Sequence, residues 1–180
     1  MGDIAAKRML DTFTSVGADS FVVTKTEFEW PGNKKVKWGK TYFLPDLQEK
    51  LPAMMSTAAI RRPIILGDGQ TVLAGENLIV RPISDRVGFI QLDDLKPDQL
   101  DRVRPAAFIM HATSPGNYQA WIAVSGLPDG KAQFKEFVRR VRKAVGGTDK
   151  SASHATRLAG TENFKTKYLP DFPNPILAVR

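Results

Sequence analysis

Two strand-like runs, "PAAFIMHATS" (105–114) and "NYQAWIAVSG" (117–126), are separated by nothing longer than the turn "SPGN". So short a connection cannot return the chain to the start of a parallel neighbour, which takes a dozen residues or more. The pair is therefore predicted to be an antiparallel hairpin, with Pro115 and Gly116 supplying the turn. A fold for this chain has to be built around that hairpin.

The other segments agree with an antiparallel sheet. "SFVVTKTEF" (20–28) is rich in β-branched and aromatic residues and is predicted as a strand. "EWPGNKKVKWGKTYF" (29–43) is predicted as a turn between strands, its lysines as an ordinary exposed hairpin rather than a nucleic-acid contact. "GENLIVRP" (75–82) and "VGFIQLDD" (87–94) are predicted as short strands, neighbours in one sheet. Helices are predicted over "DIAAKRMLDTFTSV" (3–16), stopped by Gly17, and over 46–62 with Pro52 as a disturbance. "KPDQLDRVR" makes a short helix opened by Pro97.

In "DGKAQFKEFVRRVRKAVGG" (129–147), Phe134, Phe137, Val138, Val141 and Val145 recur at helical spacing, with Lys135, Arg139, Arg142 and Lys143 on the exposed side. The remainder is loop-rich and closes on a strand, "PILAV". The predicted fold class is α+β: a mostly antiparallel sheet with packed helices, forming a single domain over residues 1–180.

Charge is unevenly placed. Residues 1–130 hold fifteen Lys/Arg and fifteen Asp/Glu, so the whole net charge of +7 comes from residues 131–180. A local cationic field of this kind attracts nucleic acid or nucleotide phosphates; its bland counterpart is a solvated helix face. The chain has no cysteine, which excludes disulfides and cysteine-ligated metal centres. No apolar run approaches the roughly 20 residues of a membrane span, and "MGDIAAKRMLDTF" lacks the apolar core of a secretory signal. A soluble protein of the cytoplasm, without a membrane partner, is expected.

Three segments carry candidate chemistry. The strand "VGFIQLDD" ends on Asp93 and Asp94, two carboxylates that repel each other and that a divalent cation would relieve. The structural reading is a surface turn or the N-cap of the following helix. Strand alternation would send neighbours to opposite faces, so both can serve one metal only if the strand stops being regular at Asp93. In "SPGNYQAW", Asn117, Gln119 and Trp121 share one face, a stripe that can hydrogen-bond and stack a base, or whose amides simply satisfy the sheet. "GGTDKSASHATRLAGTENFKTKY" (146–168) gathers Asp149, His154, Arg157, Lys165 and Lys167 among small residues. That composition suits phosphate, or a solvated loop. Phosphate-loop, dinucleotide-binding and nucleophile-elbow motifs are absent. His111 and His154 lie too far apart in the chain for a close His-hydrophobe-His pair.

In order along the chain, "NLIVRP", "LDDL", "SPGNYQAW" and "HATRLAGTENFKTKY" resemble the catalytic domain of RepB-type plasmid DNA primases. These are a branch of the archaeo-eukaryotic primase superfamily, and "NLIVRP" is similar to that branch's "N-V-Y-I-R-P" strand. The resemblance implies a primase-like catalytic core. It implies a nucleotidyltransferase that makes short primers on single-stranded DNA for plasmid replication, with Mg²⁺ or Mn²⁺ as cofactor. A 3′-hydroxyl would attack an α-phosphate and pyrophosphate would leave.

It further implies that Asp93, Asp94 and Asp149 are the catalytic, metal-binding carboxylates. His154, Arg157 and Lys165 would bind the nucleotide, and Asn117, Gln119, Trp121 and Lys167 the nucleic acid. The implied partners are the template, nucleoside triphosphates and helicase or initiator proteins of a plasmid replicon. The wider superfamily spaces its first two carboxylates two apart; here they are adjacent, as in the plasmid branch. The branch's C-terminal helical bundle is not expected within these 180 residues. Two other readings stand beside the primase: a catalytically silent single-stranded nucleic-acid-binding domain of the same fold, and a metal-dependent nuclease.

Overall fold

The structure, a computed structural model, describes residues 2–29, 33–65, 68–114, 116–126, 131–145, 154–164 and 174–175. The chain opens with helix α1 (Gly2–Ser15), which buries Ala6, Met9, Leu10 and Phe13 and ends before Gly17 at φ +108°. Strands β1 (Ser20–Glu29) and β2 (Asn33–Tyr42) follow, then helix α2 (Leu44–Ala58). Pro45 sits in the first turn of α2, where its missing N–H costs nothing, and Pro52 is carried inside the helix. Helix α2 stops four residues short of the predicted end at 62, and a hairpin of β3 (Arg62–Ile65) and β4 (Thr71–Ala74), not foreseen from the sequence, comes next. Strands β5 (Asn77–Ile83) and β6 (Val87–Leu95), helix α3 (Pro97–Val103), strands β7 (Ile109–Ser114) and β8 (Asn117–Ser125) and helix α4 (Lys131–Val145) complete the main body. Short strands β9 (Thr156–Arg157), β10 (Glu162–Asn163) and β11 (Asn174–Pro175) follow.

The pairings among the described residues are antiparallel, as the 114–117 turn demands. They make two principal sheets rather than one. The first has the order β2-β1-β5-β9, the second β6-β8-β7. Strands β5 and β6, consecutive in sequence, therefore belong to different sheets, which corrects the expectation that they are neighbours. Both sheets need a helix-covered face, and the short link between β5 and β6 lets the chain step from one to the other.

Phe13 of α1 joins the two sheets. Its ring meets Phe21 of β1 at 6.3 Å, Phe89 of β6 at 5.8 Å and Trp121 of β8 at 5.1 Å, each edge to face. This first core also takes Leu47 and Leu51 of α2 and Leu78 and Val80 of β5. A second core lies on the opposite face of the β6-β8-β7 sheet. There Ile90, Leu92, Leu95 and Ala120 pack on Val103 of α3 and on Val138 and Val145 of α4. Phe137, predicted among the core positions of α4, is 38% exposed. Among the described residues, no helix is long and apolar enough to cross a membrane.

Candidate active site

Strand β6 pairs regularly with β8 from Val87 to Leu92, and the register then shifts before Leu95. Leu92 pairs Ala120 and Leu95 pairs Tyr118, so Asp93 and Asp94 together stand opposite the single residue Gln119. This is a β-bulge, one extra residue on one strand. Its cause is legible in the packing: Leu92 and Leu95 are both fully buried in the second core. Residues three apart cannot share a face of a regular strand, so the bulge absorbs the extra residue. The two aspartates jointly fill the one position facing away from the leucines. Asp94 adopts φ +54° and donates its backbone N–H to Asp93 Oδ1 at 2.9 Å. The helix-cap explanation fails, because the N-cap of α3 is Lys96, whose N–H donates to Gln99 Oε1 at 2.8 Å.

The outer edge of β6 is covered by the segment 154–157, which lies between the two sheets. His154 Nδ1 meets Phe89 O at 3.1 Å; a carbonyl only accepts, so Nδ1 carries the proton and donates. The Gln91 amide embraces Ala155, donating to its carbonyl at 2.8 Å and accepting from its N–H at 3.3 Å. Thr156 and Arg157 then pair with Val80 and Ile79 of β5. Arg157 Nε donates to the buried Asn77 Oδ1 at 3.1 Å. From α4, Arg142 reaches the Gln91 carbonyl at 3.2 Å, so it turns inward rather than joining the exposed side predicted for it. Arg139 and Arg140 stay on the surface, paired with Glu136 at 2.6 and 3.0 Å.

Burial lowers the pKa of His154, its bond to Phe89 opposes that, and the charges of Arg142 and Arg81 lower it further. Three basic side chains from α4, β5 and the 154–157 segment thus share one neighbourhood. Asp93 follows Gln91 by two residues, about 7 Å along the strand. Among the described residues, the non-glycine positions with positive φ are Asp94 and His154, at 54° and 53°. Both come from segments singled out in the sequence.

The "NYQAW" stripe turns out differently. Gln119 and Trp121 do share a face. Trp121 is fully buried, its ring edge-on to Phe13, so it cannot offer a face to a base, and the open stacking platform expected here is corrected. Gln119 is also buried and accepts a hydrogen bond from Thr156 Oγ1 at 2.7 Å. Asn117 Oδ1 accepts from Lys96 Nζ at 2.6 Å. Asp149, Lys165 and Lys167 lie outside the described residues. No group of three potential metal ligands occurs among the described residues, which hold only the Asp93–Asp94 part of the expected set.

Sequence reasoning missed Gln91, Arg81, Arg142, Thr156 and the role of His111. Gln91 carried a signal, being a polar residue inside "FIQLDD" on the side of Asp93. Thr156 lay inside the "HATRLAG" segment without being singled out.

With this geometry in place, comparison with known proteins gives a consistent class. Over 99% of this chain and 84% of the other, the fold matches the catalytic domain of primase Repb', solved in complex with initiator DNA, at a TM-score of 0.71 and 21% identity. It is a primase-like catalytic fold. Residues 40–173 match the family described as the RepB DNA-primase N-terminal domain, and the chain belongs to that family. A DNA primase of Acidithiobacillus ferrooxidans is 33% identical over 171 residues, 86% of this chain and 44% of that protein. Mobilization protein A of Escherichia coli is 33% identical over 101 residues, 52% of this chain and 14% of that protein. The chain thus spans less than half the length of either relative.

Proposed function

We propose that this domain catalyses divalent-metal-dependent nucleotidyl transfer, making short primers on single-stranded DNA for plasmid replication in the cytoplasm. The observation that carries the reading is the pair of left-handed residues. Asp94 and His154 hold a backbone conformation that costs a non-glycine residue on the order of 1–2 kcal/mol, and such strain gathers at functional sites. The cation fits the donors: two adjacent carboxylates with no role in capping α3, hard oxygens of the kind Mg²⁺ or Mn²⁺ takes.

Asp93 and Asp94 would hold the metal, with Asp149 as a third carboxylate. The bound ions would supply Lewis-acid activation of the attacking hydroxyl and stabilise the leaving oxygens. The chain's own residues do the positioning. His154, with Arg81 and Arg142 beside it, receives the triphosphate, and Arg157 and Lys165 extend that cationic surface. Because Nδ1 is committed to Phe89, His154 meets phosphate through Nε2, and must be protonated there to donate. Template contact falls to Lys167 and to exposed groups near Asn117. Helicase or initiator proteins of the replicon are the proposed macromolecular partners.

The test is primer synthesis on a single-stranded template with labelled nucleotides and Mg²⁺ or Mn²⁺, wild type beside an Asp93→Ala, Asp94→Ala double variant. Product from wild type alone is expected. Equal product from both would overturn the metal assignment. Wild type that binds DNA but makes no product would instead mark a silent binding domain.

A further inference from the structure

The buried histidine His111 plays no part in the reading above, yet a single strand, β8, separates it from the strand of the aspartates. On the inner face of the β6-β8-β7 sheet, the bulge carrying Asp93 and Asp94 stands opposite Gln119, and Gln119 pairs His111. Thr156 enters this row from the other sheet. Its Oγ1 donates to Gln119 Oε1 at 2.7 Å and lies 2.9 Å from His111 Nε2. A hydroxyl has one proton, and Gln119 takes it, so His111 must donate from Nε2 and is held as that neutral tautomer. All three side chains are buried, at 2%, 5% and 2% exposure for His111, Gln119 and Thr156.

These contacts have a mechanical consequence. Among the described residues, the two principal sheets share no strand pairing, and the 154–157 segment bonds to both. Its hold on the first sheet is the short β9 pairing. Its hold on the second is made by side chains: Gln91 on Ala155, and His111 with Gln119 on Thr156. His154 lies two residues upstream, in a left-handed conformation that the local chain would not choose by itself.

We infer that Thr156, clamped by His111 and Gln119, is a positioning residue for the nucleotide site. It registers the 154–157 segment against β6, which keeps His154 donating from Nδ1 to Phe89 and leaves Nε2 for the triphosphate. This inference deepens the nucleotidyl-transfer reading and rests on it for the identity of the ligand. The positioning itself has an independent readout in the imidazole of His154.

The experiment is ¹⁵N–¹H spectroscopy of the histidine side chains in the full chain, with titration of a deoxynucleoside triphosphate and Mg²⁺, on wild type, Thr156→Val and Thr156→Ser. Valine keeps the shape and removes the hydroxyl; serine keeps the hydroxyl. In wild type, His154 is expected as a single Nδ1–H tautomer. In T156V it becomes a mixture and triphosphate binding weakens about tenfold, the loss of one hydrogen bond to a charged group. T156S behaves as wild type in both measurements. Unchanged His154 shifts and unchanged binding in a folded T156V would overturn the inference.

Should T156V fail to fold, Gln119→Met removes the acceptor of the Thr156 hydroxyl while leaving the Gln91–Ala155 bonds in place. The same two changes are expected, and their absence overturns the inference in the same way. A wild type that binds no triphosphate would overturn the nucleotidyl-transfer reading alone, with the His154 tautomer still deciding the positioning.

Discussion

The two faces of the β6-β8-β7 sheet obey different rules. The outer face is apolar throughout: Ile90, Leu92, Leu95, Ala120 and Ile122 meet α3 and α4. The inner face begins the same way, with Phe89, Ile109 and Trp121 in the Phe13 cluster, then turns polar at Gln91, Gln119, His111 and Asp93. One face serves stability alone. The other changes character part-way along, and the candidate site lies where it changes. The bulge belongs to both faces, because keeping Leu92 and Leu95 together in the outer core is what brings two aspartates to one inner position.

The largest expected effect would separate the faces by function. Asp93→Asn and Asp94→Asn keep the side-chain shape and remove the charge. Each is expected to lower nucleotide incorporation by about a thousandfold, the several kcal/mol a Lewis acid supplies, measured by single-turnover extension. Melting should stay within about 0.5 kcal/mol of wild type, as for surface substitutions. A variant that lost stability along with activity would show the inner face to be structural there. On the outer face the order reverses. Ile90→Ala should cost about 2–5 kcal/mol in urea unfolding, the usual range for a buried isoleucine, while the folded fraction keeps its activity.

Acid should strike the inner face. Burial pushes the pKa of His111 from its ordinary 6.5 down to about 4, with the bond to Gln119 opposing this and Arg157 adding to it. Between those values the unfolded chain binds a proton that the folded chain refuses. The stability tied to neutral His111 is therefore complete above pH 6.5 and drains away as pH falls towards 4. The loss amounts to about 3 kcal/mol, followed by chemical unfolding at stepped pH. His111→Gln cannot titrate, and its stability should fall less steeply over that window. Equal slopes would mean that His111 is charged or solvated in the fold.

The smallest effect sharpens the trade at the bulge. Asp94→Gly relieves the left-handed backbone and should raise stability by about 0.5–1 kcal/mol in the same unfolding assay, while removing a proposed metal ligand and with it most activity. A destabilised glycine variant would show that the Asp94 side chain, not the backbone, holds the bulge.

Much of this was legible in the chain. The "SPGN" turn required an antiparallel hairpin, Pro97 opened α3, and Gly17 ended α1, each from steric rules that act over a few residues. The adjacent aspartates posed a problem that alternation alone could not solve. Its answer, the bulge, comes from two leucines competing for one core, a contest set by α3 and α4. Trp121 read as part of a stacking platform, because an aromatic residue on a strand has the same local signature there as in a core. The decision lay with Phe13, more than a hundred residues upstream.

By itself, then, the sequence determined most of the helices and longer strands, the antiparallel pairing of the 105–126 hairpin and the segments in which the chemistry gathers, since these follow from local sterics, periodicity and residue type, though the β3–β4 hairpin escaped it. Tertiary structure decided that β5 and β6 part into two sheets and that residues 154–157 bridge them. It also decided that Gln91, His111 and Thr156 form the clamp. Those outcomes depend on which buried polar group finds which partner across the fold. A buried donor or acceptor must be satisfied by whatever stands next to it in space, and position along the chain does not record who that neighbour is.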